Sequence, residues 1–399
     1  MKLTPQVDEI KVFTKRHKNT VRKDIFYIFL YITNFLFMEI TNELKAIDFF
    51  CGAGGVTCGF GEVGIKVLAG VDIDPKFQDT YVKNNHAIFI NEDVSNLAPE
   101  DLTKYVEVKK NDNNLIFVGC SPCQYYSNLK SDKTKSQKSR LLLEDFKEFV
   151  LHYRPGFVFI ENVPGLETKV GSPIHNFKKS LRKEGYVFDQ KVVNAKYFNV
   201  PQNRRRFILI ASRLNSEIKL PLQDKKKDNI MTVKKAIGNE KLFPKVEAGF
   251  IDNSIYMHTV SRVSDLNLQR LKHTPKDGGS RKNWEHNKDL QLECYKEHDG
   301  HYDVYGRMYW DRPAPTITTR FIYTSTGRYS HPEQDRAISL REGATLQSFP
   351  LNYNFYSSNK GTVATMIGNA VPPKLAKAIG VTIFEHWKLW RNSKQEQEQ

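Results

Sequence analysis

The chain has 399 residues, of which 40% are hydrophobic and 12% aromatic, a composition typical of one large or two medium-sized globular domains rather than a disordered chain. Its 60 Lys and Arg residues outnumber 45 Asp and Glu residues, which gives a net charge of +15. This excess indicates a polyanionic partner, with nucleic acid as the first candidate, although charge alone leaves simple solubility open.

The cysteines are few, odd in number and unevenly spaced: Cys51, Cys58, Cys120, Cys123 and Cys294. This pattern does not predict a disulfide framework and favours a reducing, cytoplasmic compartment. Cys120 and Cys123 form a C-x-x-C pair, which is typical of a redox motif or of half a zinc site. Because no second close Cys/His pair completes a zinc set, we predict no metal site.

Residues 1–37 contain a basic stretch followed by the apolar run Ile25–Phe37. The run is shorter than the about 20 residues that a membrane-spanning helix needs, and no small-residue cleavage site follows it. We therefore predict no membrane segment. Two interpretations stay open: an extension translated from upstream of a natural start at Met38, or an amphipathic helix that packs on the protein.

From Leu44 onward, short apolar segments alternate with helical patterns, at Asp145–Tyr153 and Ile174–Glu184 among others. This rhythm predicts a doubly wound α/β domain over residues 38–213. The predicted strands are Leu44–Phe50, Lys66–Val71, Ala87–Ile90, Leu115–Val118, Phe157–Ile160, Tyr186–Val193 and Phe207–Ala211.

After Arg213 the rhythm is lost. Residues 214–345 are polar, rich in lysine and contain Gly278-Gly279, which indicates a smaller, irregular second domain with a hinge. Residues 346–399 regain a helical pattern, interrupted by Gly-Asn-Ala-Val-Pro-Pro at 368–373, and are predicted to return to the first domain.

A glycine-rich segment, Asp48 to Gly55, stands where the first strand turns into the first helix. Glycines at this position allow the backbone to approach a nucleotide-like ligand. Asp72 follows about 20 residues later, at the end of the second strand, where a ribose-binding carboxylate is expected. Asp93 follows the third strand and is a candidate partner for an adenine amino group. Together these features predict a cofactor that contains a nucleoside; the strict G-x-G-x-x-G dinucleotide pattern is absent.

Three further strand ends carry reactive side chains. Pro122-Cys123-Gln124 follows the fourth strand, Glu161 ends the fifth, and Arg204 to Arg206 precede the seventh. Ligands of open α/β sheets bind at the carboxyl edge of the strands, so Cys123 is expected to face the cofactor. A lone Cys is more often a packing residue, but its place in a tight loop beside a predicted ligand favours a nucleophile.

The order of these segments resembles that of the DNA cytosine-5 methyltransferases, over nearly all of the chain from Met38 to Ile379. The similarity rests on a set of short motifs in the family's order: Phe50 with its glycine turn, Pro122-Cys123-Gln124, Glu161-Asn162-Val163, Gln202 to Arg206, Arg312 to Thr318, and Gly368 to Pro373.

The resemblance implies a fold, a reaction and a set of roles. The fold is a doubly wound S-adenosylmethionine-dependent methyltransferase domain with a smaller target-recognition domain. Cys123 is implied as the nucleophile that attacks cytosine C6, Glu161 as the group that contacts N3 and the exocyclic amine, and Arg206 as the group that holds the O2 edge. Arg204 is implied as a neighbouring site residue. The base must leave the helix for this chemistry, so base flipping is expected.

The cofactor is predicted to be S-adenosyl-L-methionine. Its predicted contacts are Phe50, Gly52, Gly54, Gly55, Asp72, Ile73, Asp93, Val94, Pro122 and Asn369. Recognition of the target sequence is expected between Leu214 and Asp311. Candidate base readers there are Arg262, Arg270, Arg281, Lys282 and Asn283.

We therefore expect a monomeric restriction-modification methyltransferase that acts on double-stranded DNA, alongside a restriction endonuclease with which it forms no stable complex. Two alternatives remain: a tRNA cytosine-5 methyltransferase of the same family, and a non-catalytic nucleic-acid-binding protein with a methyltransferase fold. The long lysine-rich region favours DNA, and intact Cys123, Glu161 and Arg206 argue for catalysis.

Overall fold

The computed structural model describes residues 44–122, 133–292 and 302–398. Its centre is one seven-stranded sheet in the order β3-β2-β1-β4-β5-β7-β6. The first five strands in the chain run parallel, whereas β7 runs antiparallel to both β5 and β6. The strands are β1 (Lys45–Phe49), β2 (Lys66–Asp72), β3 (Ile88–Asn91), β4 (Leu115–Gly119), β5 (Phe157–Asn162), β6 (Val187–Asn194) and β7 (Arg205–Ser212).

All seven predicted strands are thus confirmed within one or two residues. The helices of the described chain are α1 (Gly55–Gly61), α2 (Gln78–Asn85), α3 (Lys133–Tyr153), α4 (Gly165–Thr168), α5 (Pro173–Lys183), α6 (Val233–Ile237), α7 (Asp265–Lys272), α8 (Leu340–Leu346), α9 (Lys360–Asn369) and α10 (Pro373–Glu398).

Both faces of the sheet are covered, as a doubly wound fold requires. Strand β5 is buried along its whole length: Phe157 and Phe159 point into the core on one side, and Val158 and Ile160 into the core on the other. The first core includes α1 and α10, and the second includes α3 and α5. Alternate strand residues facing two apolar layers explain why these strands read as continuous apolar runs.

The C-terminal helix α10 completes the first of these layers. It packs closely on α1, where a side chain at Gly59 would meet the carbonyl oxygen of Pro373 at 2.3 Å. Trp387 is fully buried and its Nε1 donates a hydrogen bond to Asn114 Oδ1 at 2.8 Å. Helix α9 ends at Asn369 and α10 begins at Pro373, so the helical pattern is interrupted between these two residues.

Residues 213–339, which we call the irregular region, contain only two short α-helices, α6 and α7, in their described part. Strand pairing within that part is limited to isolated bridges, Arg307 with Ser330 and Ser330 with Ala337. A third apolar core, which includes Ile317, Phe321 and residues of α8 and α9, lies beneath it.

Candidate active site

The carboxyl edge of the sheet gathers the predicted site residues because β1 to β5 are parallel. The glycine turn follows β1, Asp72 ends β2, and Cys120 to Pro122 follow β4. Strand β7 is antiparallel, so its beginning, not its end, lies at this edge. Arg206 is therefore brought beside the end of β5.

Glu161 and Arg206 form an ion pair at this edge. Arg206 Nε lies 2.8 Å from Glu161 Oε1, and both side chains are largely buried, 13% and 9% exposed. The contact does not have the angle of a hydrogen bond and is an ion pair. The pair thus places a largely buried carboxylate beside a cation at the carboxyl edge of the sheet.

Asn162 connects this pair with the segment that leads to the predicted nucleophile. Its Nδ2 donates to the carbonyl oxygen of Ser121 at 3.2 Å, and its Oδ1 accepts from Val163 N at 2.9 Å. Pro122 is exposed at the end of this segment. Cys123 itself lies outside the described residues, so its role stays a prediction.

Arg204 occupies a different environment from Arg206. It is 3% exposed, and its Nη atoms donate to the carbonyl oxygens of Ile317, Gly368 and Ala370 at 3.0–3.2 Å. The guanidinium group thus ties two of the motif segments to the start of β7. This arrangement supports a positioning role rather than direct contact with a base.

Gln202 and Gln347, both fully buried, extend the same network. Gln202 Oε1 accepts from Ile317 N at 2.9 Å, and its Nε2 donates to Gln347 Oε1. Gln347 Nε2 then donates to Ala370 O at 2.6 Å, one residue after Asn369. Gln347 was missed by sequence reasoning, since nothing in its neighbourhood distinguishes a buried amide from a surface one.

The glycine turn has the backbone conformation that a ligand cradle needs. Phe50, Gly52 and Gly54 all have positive φ values, of 60°, 52° and 86°. Gly52 N donates to Asp72 Oδ2 at 2.8 Å, which joins the turn to the end of β2. A side chain at Gly52 would meet no atom within 4 Å, so the turn is open on that side.

The remaining predicted cofactor residues differ in exposure. Ile73 has an apolar side chain that is 63% exposed directly after Asp72, which suits a contact with a ligand. Asp93 Oδ1 accepts from Ser95 N at 3.0 Å in a turn, whereas Val94 is buried in the core. Asn369, the last residue of α9, is exposed.

Asp48 is a site candidate that sequence reasoning quoted but did not select. It is 1% exposed; Oδ2 accepts from Thr57 Oγ1 at 2.8 Å, and Oδ1 has no hydrogen-bond partner among the described residues. Burial, together with the nearby Asp72, raises the pKa of its carboxyl to about 7, although the hydrogen bond from Thr57 lowers it. Burial also raises the pKa of Asp72. Two such carboxyls favour binding of a positively charged group. The signal in the sequence was a carboxylate within a buried apolar strand.

The five candidate base readers in the irregular region fall into two groups, two that are buried and three that are exposed. Arg270 is 7% exposed and donates to the carbonyl oxygens of Leu290 and Gln291; Arg281 is 5% exposed and pairs with Glu285. Neither guanidinium group lies on the surface, so the expectation that they read bases needs correction.

The other three candidates, Arg262, Lys282 and Asn283, are exposed. The Asn283 side chain, however, accepts from Ser280 N at 3.0 Å and caps a short helical turn. Arg262 and Lys282 remain the two that present a charge to solvent.

Among residues 44–122, 133–292 and 302–398, no cluster of His, Cys, Asp and Glu is arranged to hold a metal ion. Within the same ranges no helix is long and apolar enough to cross a membrane.

Comparison with known proteins identifies the family. Residues 44–385 match the family model of the C-5 cytosine-specific DNA methylases. The chain is 38% identical over 343 residues to the type II methylase M.HgiDII of Herpetosiphon aurantiacus, which covers 84% of this chain and 94% of that protein. It is 32% identical over 378 residues to the type II methyltransferase M1.HphI of Haemophilus parahaemolyticus, covering 92% and 94%.

Solved structures agree on the fold. A DNA modification methyltransferase encoded within an E. coli prophage superimposes with a TM-score of 0.64 at 20% identity, over 86% of this chain and 99% of that one. The S. pombe Dnmt2 methyltransferase gives 0.58 at 17% identity, over 86% and 98%. On the family model and these relatives, the chain belongs to the C-5 cytosine-specific DNA methylase family and is a DNA (cytosine-5-)-methyltransferase.

Proposed function

We propose that this enzyme methylates C5 of a cytosine flipped out of a specific double-stranded DNA sequence, through a covalent adduct between Cys123 and C6. The observation that carries the proposal is the ion pair of Glu161 and Arg206, placed at the sheet edge beside the segment that leads to Pro122 and Cys123. A buried acid next to a cation matches the polar edge of a cytosine ring, which offers both N3 and O2.

S-adenosyl-L-methionine is the proposed cofactor, and the residues at the glycine turn fit it. Asp48 and Asp72 offer carboxyl groups to a ligand that carries positive charge, and Gly52 leaves the backbone open to close approach. Ile73 offers an apolar surface for a flat ring. When bound, this cofactor supplies a methyl group on a positively charged sulfur.

The chain's own residues then explain how a weakly nucleophilic carbon is activated. The Cys123 thiolate forms a bond to C6, and the electrons of the C5–C6 double bond move into the ring as Glu161 delivers a proton to N3. Arg206 stabilises the negative charge that develops at O2. After C5 has gained its methyl group, N3 returns its proton to Glu161. A base then removes the C5 proton, and the electrons of that C–H bond restore the C5–C6 double bond and expel the thiolate.

DNA is the proposed substrate rather than tRNA. The relatives with at least 30% identity are named type II methylases or methyltransferases, and the net charge of +15 favours a long polyanion. Phosphate contacts would offset the few kcal/mol that flipping a base costs. We further propose that the enzyme works as a monomer in the cytoplasm and protects DNA from a restriction endonuclease of the same specificity.

The decisive experiment incubates the purified protein with methyl-labelled S-adenosylmethionine and either duplex DNA or tRNA. We expect label in DNA only, in acid-stable 5-methylcytosine. Label in tRNA alone would replace the DNA proposal by its closest rival. Label in neither would indicate a binding protein without activity.

The nucleophile is tested separately with Cys123→Ser. This variant should lose methyl transfer while it retains cofactor binding, because a serine hydroxyl is not ionised at neutral pH and is a much weaker nucleophile than a thiolate. Cys58→Ser is the matched control: Cys58 lies on α1, and its pKa is raised to about 12 by burial, so no nucleophilic role is expected. Retained transfer by Cys123→Ser would refute the covalent mechanism.

A further inference from the structure

Tyr353, which follows α8 in the chain, reaches across to the glycine turn. Its side chain is buried, and its hydroxyl donates a hydrogen bond to the carbonyl oxygen of Ala53 at 2.5 Å. The hydroxyl in turn accepts from Asn85 Nδ2 at 2.8 Å. Because Asn85 Nδ2 is the donor in its hydrogen bond with the Tyr353 hydroxyl, the hydroxyl proton points to the carbonyl oxygen of Ala53.

The turn leaves little room on this side. A side chain at Gly54 would come within 2.4 Å of Asn85 Nδ2 and 2.8 Å of the Tyr353 hydroxyl, and Gly54 has a φ of 86°. Gly54 is therefore required both for its backbone conformation and for the close approach of these two groups. The contact of Tyr353 with the turn thus depends on a residue that lies 299 positions earlier.

The segment that carries Tyr353 is itself fixed. Asn84 of α2 donates to the carbonyl oxygen of Asn354 at 2.7 Å and accepts from Asn354 N at 2.9 Å. Thr80, one turn earlier, accepts from Tyr356 N at 2.8 Å. These side chains bind the backbone of the segment as a neighbouring strand would. The segment that carries Tyr353 is therefore anchored to α2.

On the opposite side the turn is bound by Asp72, which accepts from Gly52 N. Strand β2 thus holds the turn through Val71, whose carbonyl oxygen accepts from Cys51 N at 3.1 Å, and through Asp72, while Tyr353 holds it from beyond the irregular region. At Gly52 the turn is open, since a side chain there would meet no atom within 4 Å.

We propose that Tyr353 is a positioning residue for cofactor binding: through the carbonyl of Ala53 it fixes the glycine turn in the conformation that receives the cofactor. This inference rests on the proposed use of S-adenosylmethionine. Tyr353 acts through the turn, since its hydroxyl is already shared between Ala53 and Asn85.

The test compares Tyr353→Phe with Tyr186→Phe in the full chain. Tyr186 is also buried, and its hydroxyl also donates to a backbone carbonyl, that of Pro155 at 2.6 Å, but this bond precedes β5 at the other edge of the sheet. Both variants should lower the thermal midpoint of the cofactor-free protein by a similar amount. Only Tyr353→Phe should raise the dissociation constant of S-adenosylmethionine in calorimetric titration, by about tenfold, the factor expected for one lost hydrogen bond.

Asn85→Ala and the double variant provide a second measurement. Because Asn85 and Tyr353 belong to one chain of hydrogen bonds, the double variant should bind the cofactor no more weakly than Tyr353→Phe. Additive losses, or wild-type binding by Tyr353→Phe, would overturn the inference while leaving the proposed function intact. Absence of binding by the wild-type protein would instead overturn the proposed cofactor, and the inference with it.

Discussion

The α/β region, residues 44–212, and the irregular region, residues 213–339, are held together by different interactions. In the first, apolar strands and helices bury one another, and the fully or nearly buried charged side chains of its described part are Asp48, Glu161 and Arg204, all at the site. In the second, arginine side chains lie inside: Arg270, Arg281, Arg307 and Arg336 are all under 8% exposed.

The buried arginines substitute for missing secondary structure. Arg307, for example, is fully buried and donates to the carbonyl oxygens of Leu271, Thr274, His331 and Gln334. In a helix or sheet those carbonyls would accept from backbone N–H groups. A guanidinium group with its five donors can satisfy several of them at once. In this region, buried arginine side chains therefore satisfy backbone carbonyls that have no partner in a helix or sheet.

The largest expected effect comes from breaking the ion pair of Arg336 and Glu342, both fully buried and joined by two hydrogen bonds of 2.8 Å. Glu342→Gln leaves Arg336 without its counter-charge and should lower the free energy of unfolding by about 3–5 kcal/mol. Urea denaturation at pH 7 measures this loss. Asp79→Asn, which breaks an exposed pair with Lys83 on α2, is the control and should cost less than about 0.5 kcal/mol.

The same pair predicts a pH dependence. The Arg336 guanidinium holds the pKa of Glu342 down, at about 2, against the opposing effect of burial. A depressed carboxyl pKa contributes stability that is complete above its ordinary value of 4.5 and is lost as the pH falls towards 2. The difference between wild type and Glu342→Gln should therefore shrink below pH 4.5; a constant difference would contradict the assignment.

The second prediction concerns Asp48 in the α/β region. Its effect on stability changes with pH in the direction opposite to that of Glu342. Because burial raises its pKa to about 7, the cofactor-free protein loses stability as the pH rises from about 4 to about 7. Asp48→Asn keeps an acceptor for Thr57 and removes this titration. Unfolding measured between pH 5 and pH 8 should show the variant gaining stability relative to wild type, on the order of 3 kcal/mol, with the gain complete near pH 7. A stability difference between Asp48→Asn and wild type that does not change with pH would show that Asp48 does not titrate in this range.

The third prediction separates buried from exposed cations within the irregular region. Arg270→Met should lower the free energy of unfolding by about 2 kcal/mol, since two backbone carbonyls lose a charged donor. Lys282→Met should not affect stability. In DNA binding measured against salt concentration, Lys282→Met should reduce the slope by about 1 if the ammonium group contacts a phosphate. A reduced slope for folded Arg270→Met would show that the buried residue is a DNA contact after all.

The smallest effect tests the apolar core of the α/β region. Ile210→Val removes one methylene from a fully buried side chain of β7 and should cost about 0.5–1.5 kcal/mol in urea denaturation. Leu389→Val, at an exposed position of α10, is its control and should change little. A core loss as large as that of Glu342→Gln would erase the contrast between the two regions.

Sequence patterns predicted the α/β region well because strand and helix periods are local. The convergence of Glu161 and Arg206 was also predictable, since both stand at strand ends and the sheet brings those ends together. Asp48 was harder to identify, because packing decides whether a carboxylate in a strand is buried with one of its oxygens left without a hydrogen bond. Tyr353 could not be found from local pattern, since its contacts with Ala53 and Asn85 join distant parts of the chain.

The arginines mark the limit most clearly. Arg270 and Arg281 stand in a polar, lysine-rich stretch and were interpreted as surface charges that face DNA, yet both are internal. The residue type alone does not show whether an arginine binds a phosphate or a set of backbone carbonyls. Only the fold distinguishes the two, and the net charge of +15 overstates what is available to DNA.

The C-terminal helix has a consequence for how the protein is made. Helix α10 supplies Leu375, Ile379, Ile383 and Trp387 to the core that also contains residues of β1 and β4, although every strand of that core is synthesised more than 150 residues earlier. A growing chain on the ribosome therefore carries this apolar face of its sheet only partly covered, by α1, while the whole irregular region is translated. A chain that stops before Pro373 therefore lacks a large part of the apolar layer on this face of the sheet.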